Sequence, residues 1–396
     1  MAGWVVSVQG IPTATILLAV IGCLCVFGVV MVGSASTVIS MSIYGSPWGI
    51  LIREIIWMAV GVAAMVLACR FDYRRWRRLS PVLLVGTFGL LLVVLVPGLG
   101  VHAMGSSRWI GFGQLRVQPS ELMKLALVLF GADLLVRRAD RGGSHRTMTG
   151  PLLLVSGAAA VLVLLQPDMG TAAVLVCIAL GLLFASGVPL KPVAKVLGGL
   201  VLLGLMVALF SPYRRARIFS FLNPSAHSSG SGYQVVQSLI GLGSGHLFGL
   251  GLGSGREKWG YLPNAHTDFI FSVIGEELGL VGAVAVLALL GCLAWFGLRA
   301  AARAPDRFGG LLAVAVVTWV MAETLINVGA VIGLLPVTGI PLPFISFGGS
   351  SLVITMAAVG ILVNVARHER PGAGHPTGGG RRTIEHLPER VGAADR

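Results

Sequence analysis

The chain has 396 residues, of which 55% are hydrophobic and 11% are charged, and its mean hydropathy is +0.88. Soluble domains carry roughly 25% charged residues, so the composition excludes an ordinary soluble protein and indicates a membrane protein. The formal net charge is +13. In membrane proteins an excess of Lys and Arg marks cytoplasmic loops, and we therefore expect no nucleic-acid partner.

Apolar segments long enough to cross a bilayer, roughly 20 residues each, recur along the chain. We predict ten transmembrane helices, near residues 14–34, 49–69, 82–97, 118–136, 151–166, 171–187, 196–211, 269–298, 309–331 and 347–366. The predicted fold class is an all-α polytopic membrane protein. A cleaved signal peptide is the alternative for the first segment, but the basic region that such peptides carry is missing.

Basic residues set the predicted orientation, because cytoplasmic loops collect Lys and Arg. If the ten spans alternate, the basic clusters after spans two, four, six, eight and ten all fall on one side. Both termini then lie in the cytoplasm, and a membrane domain at 1–366 is followed by a disordered basic tail at 367–396. Spans 151–166 and 171–187 are the critical pair, since a single broken span there would reverse the predicted orientation of every later span.

The opposite side carries loops at 35–48 and 98–117 and one large loop at about 212–268, between spans seven and eight. The large loop contains a near repeat, Gly241-Leu-Gly-Ser-Gly245 and Gly251-Leu-Gly-Ser-Gly255. Neither copy fits the dinucleotide pattern G-x-G-x-x-G. Two interpretations stay open: a flexible surface loop, or a backbone-lined groove for a phosphate or a sugar.

Ionisable residues in apolar segments are costly in a bilayer and mark functional sites. The predicted topology places six of them toward the outer half of the membrane, where we expect them to line one cavity: Arg53, Arg116, Glu121, Lys124, Asp168 and Asp268. Structural alternatives exist for three. Glu121 and Lys124 can pair on one helix face, and Asp168 can cap the sixth span.

Asp268 lies where the polar large loop passes into the apolar eighth span. A carboxylate there can accept a proton from an attacking hydroxyl, while Arg and Lys can bind the oxygens of an anionic, lipid-linked substrate. His266 and Glu276 are further candidate site residues, with a solvated loop histidine as the alternative for His266. A proton-coupled transporter would use the same acids. Cys23 and Cys25 lack companion ligands, and no metal-binding residues are predicted.

Five motifs occur in order: Gln118-Pro-Ser-Glu-Leu-Met-Lys124, Gln166-Pro-Asp-Met-Gly-Thr171, Tyr261-Leu-Pro-Asn-Ala-His-Thr-Asp-Phe-Ile-Phe271, Gly275-Glu-Glu-Leu-Gly279, and Leu335-Pro-Val-Thr-Gly-Ile-Pro-Leu-Pro-Phe344 followed by Ser346-Phe-Gly-Gly-Ser350. In these motifs the chain resembles the SEDS family (shape, elongation, division and sporulation), whose members include RodA, FtsW and SpoVE. The resemblance runs from about Arg53 to Asn364. Many members have Glu at Asn264 and Tyr at Phe347.

The resemblance implies a peptidoglycan glycosyltransferase with ten transmembrane helices in the bacterial cell membrane, active on the extracytoplasmic side. Such enzymes join lipid II into β-1,4 glycan strands by a single inverting displacement and release undecaprenyl pyrophosphate. It implies that Asp268 is the base on the acceptor hydroxyl and that the other five residues line the cavity. A divalent cation, Mg²⁺ or Mn²⁺, is compatible with the pyrophosphate. The implied partner is a class B penicillin-binding protein, a transpeptidase.

Two rival functions stay open: a lipid II flippase, and a non-catalytic scaffold for the transpeptidase. A transporter is expected to show internal repeats, and none is clear. A scaffold would have little need for a costly carboxylate such as Asp268. The cellular role is also open, because residues 338–343 resemble the elongation branch and residues 261–279 resemble the division or sporulation branch.

Overall fold

The structure, a computed structural model, describes residues 11–98, 100–103, 106–112, 115–142, 145–189, 194, 198, 199 and 231–369. The helices of this part are α1 (Thr13–Tyr44), α2 (Gly49–Arg70), α3 (Tyr73–Leu95), α4 (Pro119–Asp140), α5 (His145–Leu165), α6 (Met169–Ala185), α7 (Ser231–Ser244), α8 (Ile270–Ala302), α9 (Arg307–Val331) and α10 (Ser350–Arg367). Three short strands lie between α3 and α4, and a 3₁₀ turn spans Glu257–Trp259. The predicted seventh span, 196–211, lies outside the described residues except for 198 and 199.

Six helices of the described part are long and apolar enough to cross a membrane: α1, α2, α3, α8, α9 and α10. Two further apolar helices, α5 and α6, are shorter. About 78% of the apolar window of α10 is buried, against 22% for α2. α10 is therefore a central helix, whereas α2 presents its apolar side chains at the surface. Together with the composition, this makes the chain a multi-pass membrane protein.

The ends of two helices differ from the prediction. α1 continues to Tyr44 instead of ending near residue 34, so the predicted loop at 35–48 shrinks to a few residues. No charged or proline residue interrupts it, and α1 ends at Gly45 in the left-handed region (φ 66°), as helices commonly do. α3 begins at Tyr73, earlier than predicted, because Asp72 caps it by accepting from the N–H of Arg74 (2.9 Å).

α5 and α6 are two separate helices that pack against each other, not one broken span. They meet at Gln166-Pro-Asp168, where the side chain of Gln166 donates to the carbonyl of Leu91 in α3 (3.0 Å). The turn is thus fixed to a neighbouring helix. This is the arrangement on which the predicted alternation of the later spans depends.

The predicted loop at 98–117 contains a small antiparallel sheet that the all-α prediction missed. Strand β2 (Ser106–Phe112) pairs with both β1 (Val101–Ala103) and β3 (Leu115–Val117). Ile110 lies opposite Val117, and Gly111 opposite Arg116. Strands this short give too few alternations to be recognised from the sequence. The sheet matters because it carries Arg108 and Arg116.

α8 is broken at Gly279, whose φ of 68° is not helical. A break inside a membrane helix must have its backbone groups satisfied by other protein groups, and residues 246–251 supply them. The N–H groups of Leu250 and Gly251 donate to the carbonyls of Glu276 and Glu277 (3.0 Å each), and Leu280 N–H donates to the carbonyl of His246 (2.9 Å). The glycine-rich segment therefore packs on α8.

Two glycines are explained by this close approach: Gly245, which ends the first copy of the near repeat, and Gly249, which lies between the copies. A Cβ at Gly245 would lie 1.8 Å from the carbonyl oxygen of Gly275, and one at Gly249 would lie 2.2 Å from that of Glu277. Residues 245–251 are therefore packed on α8 rather than forming a flexible loop, whereas residues 251–254 are exposed. Gly245 and Gly249 are needed because the two backbones touch at these positions.

The chain after α10 also differs from the prediction at its first residues. Arg367 closes α10, and the carboxylate of Glu369 accepts from the hydroxyl of Thr13 at the start of α1 (3.0 Å). Residues 367–369 are thus ordered and join the two ends of the described bundle. The rest of the predicted tail, 370–396, lies outside the described residues.

Candidate active site

The six polar residues predicted to share a cavity meet at one cavity of about 600 Å³, called the central cavity below. Arg53, Arg116, Glu121, Lys124, Asp168 and Asp268 all line it. α2, α4, α6, α8 and α10 all begin at or beside this cavity. The polar residues near these helix starts therefore gather at one end of the molecule.

Asp268 is held on a tight turn directly before α8. Asn264 starts the turn in the left-handed region (φ 60°), which Asn tolerates better than most residues. Its carbonyl accepts from Thr267 N–H (3.1 Å). The hydroxyl of Thr267 donates to the carboxylate of Asp268 (2.8 Å). The next residue, Phe269, is fully buried. The loop that carries the half-buried carboxylate of Asp268 is therefore held rigidly.

Asn327 of α9 joins two walls of the central cavity. Its amide group donates to the backbone carbonyl of Asp268 (2.7 Å) and to that of Ile340 (2.8 Å). Ile340 belongs to the segment of residues 338–341, which also lines the cavity. Asn327 is 2% exposed. The sequence showed a polar residue in an apolar span here, but spacing alone could not show which backbone it holds.

Lys124 is buried between two carboxylates. Its ammonium lies 2.7 Å from the carboxylate of Glu121, in the predicted i,i+3 pair, and also contacts that of Glu323 in α9. The indole ring of Trp319 lies 5.0 Å from the same nitrogen, within cation–π distance. Lys124 is 1% exposed. The predicted pair is thus part of a three-residue cluster. Two of its members, Lys124 and Glu121, line the cavity.

Asp168 combines the two roles that the sequence left open. Its carboxylate caps α6 by accepting from the N–H of Thr171 (3.1 Å) and from its hydroxyl (2.9 Å). The side-chain amide of Gln118 donates to the same carboxylate (3.0 Å). Since Asp168 and Gln118 both line the central cavity, the cap of α6 is also part of the cavity wall.

Arg108 is a site residue that the sequence did not single out. It lines the central cavity from strand β2, and its guanidinium donates to the carbonyls of Gln166 (3.1 Å) and Pro167. Arg53, on another part of the cavity lining, donates a hydrogen bond to the hydroxyl of Tyr44. Trp57 and Trp109 complete this side of the cavity. Without a predicted sheet, nothing in the sequence set Arg108 apart from an ordinary loop arginine.

His266 lies behind the cavity wall and does not line the cavity. Its ring is 5.9 Å from that of Phe347, and its carbonyl accepts from the N–H of Phe347 (3.0 Å). Burial lowers the pKa of His266 to about 4, because the charged imidazolium loses its hydration. His266 is thus neutral near neutral pH and joins the Asp268 loop to the segment before α10. It is half-buried rather than solvated.

Glu276 also lies away from the central cavity. Its carboxylate accepts from the N–H groups of Arg256 (2.6 Å) and Glu257 (3.3 Å) and so holds the 3₁₀ turn against α8. The neighbouring Glu277 pairs with Lys258 (3.0 Å) and accepts from the hydroxyl of Ser34. The sequence could not separate these glutamates from the cavity, because both follow Asp268 by about two helical turns.

No three His, Cys, Asp or Glu side chains are grouped to hold a metal ion within the part of the chain that the structure describes. The acids at the cavity are engaged with protein donors: Asp168 with α6 and Gln118, and Glu121 with Lys124. A divalent cation at this site would therefore need oxygen ligands from a substrate, which is how Mg²⁺ commonly binds phosphates.

A multi-pass membrane protein with a polar, cation-rich cavity below an aspartate-bearing loop is the class that this fold and site define. The family model of the FtsW/RodA/SpoVE cell cycle proteins matches residues 14–371. The chain belongs to this family, and the prediction drawn from its five motifs is confirmed.

Curated relatives match this chain in sequence over most of its length. Stage V sporulation protein E of Bacillus subtilis is 42% identical over 344 residues, which cover 87% of this chain and 94% of that protein. A probable peptidoglycan glycosyltransferase FtsW of Mycobacterium tuberculosis is 43% identical over 354 residues, 89% of this chain and 68% of that one. Both relatives are more similar in sequence than the solved structures described next.

Solved structures share the fold. A chain of a peptidoglycan synthase complex, studied for its coordination of polymerization and crosslinking, superposes with a TM-score of 0.75 at 27% identity, covering 93% of this chain and 100% of that one. The rod shape determining protein RodA of Thermus thermophilus gives a TM-score of 0.67 at 29% identity, covering 89% and 96%.

Proposed function

We propose that the protein is a peptidoglycan glycosyltransferase that polymerises lipid II into β-1,4 glycan strands. The observation that carries the proposal is the placement of Asp268 on a rigid turn at a cavity lined by four cationic side chains. The activity named for the FtsW relatives supports it. The higher identity to FtsW and SpoVE than to RodA favours a role in division or sporulation over elongation.

Asp268 is the general base of this proposal. The oxygen of the acceptor hydroxyl attacks the anomeric carbon of the donor while its proton passes to the carboxylate of Asp268. The bond from that carbon to the diphosphate oxygen breaks, and undecaprenyl pyrophosphate leaves with the electron pair. A single displacement inverts the anomeric carbon, from α in the donor to β in the product. Thr267 and Asn327 hold the base in place.

Arg53, Arg108 and Arg116 supply positive charge for the anionic part of the substrate, whereas the charge of Lys124 is balanced by Glu121 and Glu323. Arginine binds phosphate oxygens with two parallel hydrogen bonds, and charge that develops on a leaving diphosphate is stabilised by donors already in place. A divalent cation, Mg²⁺ or Mn²⁺, would bind together with the diphosphate, because the cavity acids are engaged with protein groups.

The proposed orientation in the membrane rests on the position of the central cavity in the bundle. The cavity lies at the end opposite the basic loops, so the active side is extracytoplasmic and both termini are cytoplasmic. A class B penicillin-binding protein is the proposed partner, in line with the relative found in a peptidoglycan synthase complex. It would crosslink the strands that this protein releases.

The test is polymerisation of labelled lipid II by purified protein in detergent, together with a transpeptidase partner whose own active site is blocked. We expect glycan polymer from the wild type and none from Asp268→Asn, which keeps the shape of the side chain and removes the basic oxygen. Asp140→Asn, at an exposed position at the far end of α4, is the matched control and should remain active. Equal polymer from wild type and Asp268→Asn would exclude Asp268 as the base.

The rival transport function has its own measurement. Sealed vesicles that contain the protein and fluorescent lipid II show translocation if the protein is a flippase. Translocation that survives Asp268→Asn, in preparations that make no polymer, would support the flippase and contradict the enzyme.

A further inference from the structure

The first turn of α10 forms one wall of the central cavity. Gly348, Gly349, Ser350 and Ser351 all line the cavity, and the 18-residue helix runs away from it. The first N–H groups of a helix lack intrahelical partners and carry a partial positive charge. In the described part of the chain no side chain caps this end, and its first turn holds no acidic residue. One of these donors is used, by the carbonyl of Gly348 (Ser351 N–H, 3.0 Å).

Two serine hydroxyls point independently to a ligand at this end. Ser351 is 9% exposed and lines the cavity, and its hydroxyl has no hydrogen-bond partner among the residues described. Ser350 is 8% exposed. Its oxygen accepts from the backbone N–H of Gln118 (3.3 Å), which leaves its own O–H proton free to donate. A ligand with acceptor oxygens in the cavity can accept a hydrogen bond from both hydroxyls.

The charges around the cavity favour an anion at this position. Four cationic and three anionic side chains line the cavity. The starts of α4 and α6 carry their own carboxylates, Glu121 and Asp168, which would repel an anion there. The start of α10 carries none. An anionic group in the cavity is therefore best placed at α10, where it meets backbone donors, two hydroxyls and the cationic wall together.

The start of α10 is also tied to the proposed base. The N–H of Phe347 donates to the carbonyl of His266 (3.0 Å), two residues before Asp268. In an inverting displacement the acceptor hydroxyl attacks one face of the anomeric carbon and passes its proton to the base, and the leaving group departs from the other face. A diphosphate held at α10 and a base held on the adjoining loop can act on opposite faces of one sugar in the same cavity.

We propose that the N-terminus of α10 is the diphosphate subsite for the lipid-linked donor, an inference that rests on the proposed glycosyltransferase function. The donors are the N–H groups of the first turn and the hydroxyls of Ser350 and Ser351. When the bond to the anomeric carbon breaks, the electron pair stays on the diphosphate oxygen and adds one negative charge. The same donors stabilise that charge as it develops.

The test measures binding without turnover, in the inactive Asp268→Ala background. The probes are geranylgeranyl diphosphate and geranylgeraniol, which differ only in the diphosphate, and binding is followed by calorimetry in detergent. Ser351→Asp places a negative charge at the subsite, and Ser351→Asn has the same shape without the charge. We expect Ser351→Asp to weaken diphosphate binding about tenfold or more relative to Ser351→Asn. Binding of the alcohol should be equal in both.

A second variant does not depend on a buried charge. A Cβ at Gly348 would lie 3.6 Å from the backbone nitrogen of Leu352, an ordinary contact, so Gly348→Ala should fold and cover one of the donors. We expect weaker diphosphate binding, with an unchanged melting temperature. Equal affinity of the Asp and Asn variants, together with wild-type affinity of Gly348→Ala, would overturn the subsite. A wild type that binds the diphosphate but makes no polymer would instead overturn the glycosyltransferase function.

Discussion

At the scale of single residues, Lys124 shows how a charge is kept inside a membrane protein. It is buried with two carboxylates, so it is paired as buried charges must be. Only Glu121 was predicted as its partner, because i,i+3 spacing is visible in a sequence. Glu323 comes from α9, almost two hundred residues away, and a contact between distant helices leaves no local pattern. One of the two carboxylate partners of Lys124 could therefore be predicted, and the other could not.

Removing the lysine should separate stability from catalysis. Lys124→Met leaves two buried carboxylates without a cation, which costs about 3–5 kcal/mol, and removes a cation from the cavity. We expect a lower melting temperature and loss of polymerisation. Adding Glu323→Gln should recover much of the melting temperature, because one unpaired charge is gone, but no activity. Recovery of polymerisation in the double variant would show that Lys124 acts only in structure.

Asn327 is the residue for which a positioning role can be measured. Asn327→Leu removes the donors to the carbonyls of Asp268 and Ile340, and a small displacement of a catalytic group can cost about 100-fold in rate. We expect kcat for lipid II polymerisation to fall tenfold or more while KM stays within about twofold. Thr324→Val is the matched control, since Thr324 is buried one turn away in α9 and its hydroxyl bonds only within that helix. A rise in KM without a change in kcat would contradict the positioning role.

At the scale of elements, hydropathy located the apolar helices of the described part and missed what interrupts them. The apolar segments become α1–α6 and α8–α10 with ends displaced by up to ten residues, and alternating loop charge agrees with α5 and α6 as separate helices. The break in α8 was missed, because Gly279 alone in an apolar run looks like an ordinary helical glycine. Its cause is the backbone of residues 246–251, about thirty residues earlier in the chain.

The break predicts that two glycines of one helix respond in opposite ways to alanine. At Gly279 a Cβ would meet the backbone nitrogen of Gly249 at 2.4 Å, and its φ is positive. We expect Gly279→Ala to cost at least 1–3 kcal/mol, seen as a lower melting temperature and faster proteolysis of the large loop. Gly291 has open space around its Cβ position, so Gly291→Ala should be neutral or gain up to about 1 kcal/mol. Equal effects of the two substitutions would contradict the packing of residues 246–251 on α8.

At the scale of the whole molecule, the alternation of spans explains why the cavity residues could be predicted as a set. The helices α2, α6 and α8 begin at the same end of the bundle, so Arg53, Asp168 and Asp268 meet although they are far apart in the chain. The predicted topology alone was enough to group these cavity residues. It could not rank residues at that end by depth, which is why Glu276 was grouped with the cavity and Arg108 was overlooked.

The same end of the molecule contains a buried acid that makes stability depend on pH. Glu257, in the 3₁₀ turn, is 4% exposed, and one of its carboxylate oxygens has no hydrogen-bond partner among the described residues. Burial, with a contribution from the nearby Glu276, raises the pKa of Glu257 from 4.5 to about 7. The folded protein thus binds this proton more tightly than the unfolded chain does. The stabilisation is complete below about pH 4.5 and is lost as pH rises toward 7.

Glu257→Gln imitates the protonated acid at every pH and should remove this dependence. At pH 8 the wild-type side chain is charged in a buried place, so the variant should melt several degrees higher in detergent. At pH 5 the wild-type acid is mostly protonated, and the difference should nearly vanish. Asp140→Asn, an exposed acid-to-amide change, should shift the melting temperature little at either pH. A gain for Glu257→Gln that is equal at pH 5 and pH 8 would mean that packing, and not the proton on Glu257, holds the large loop against α8.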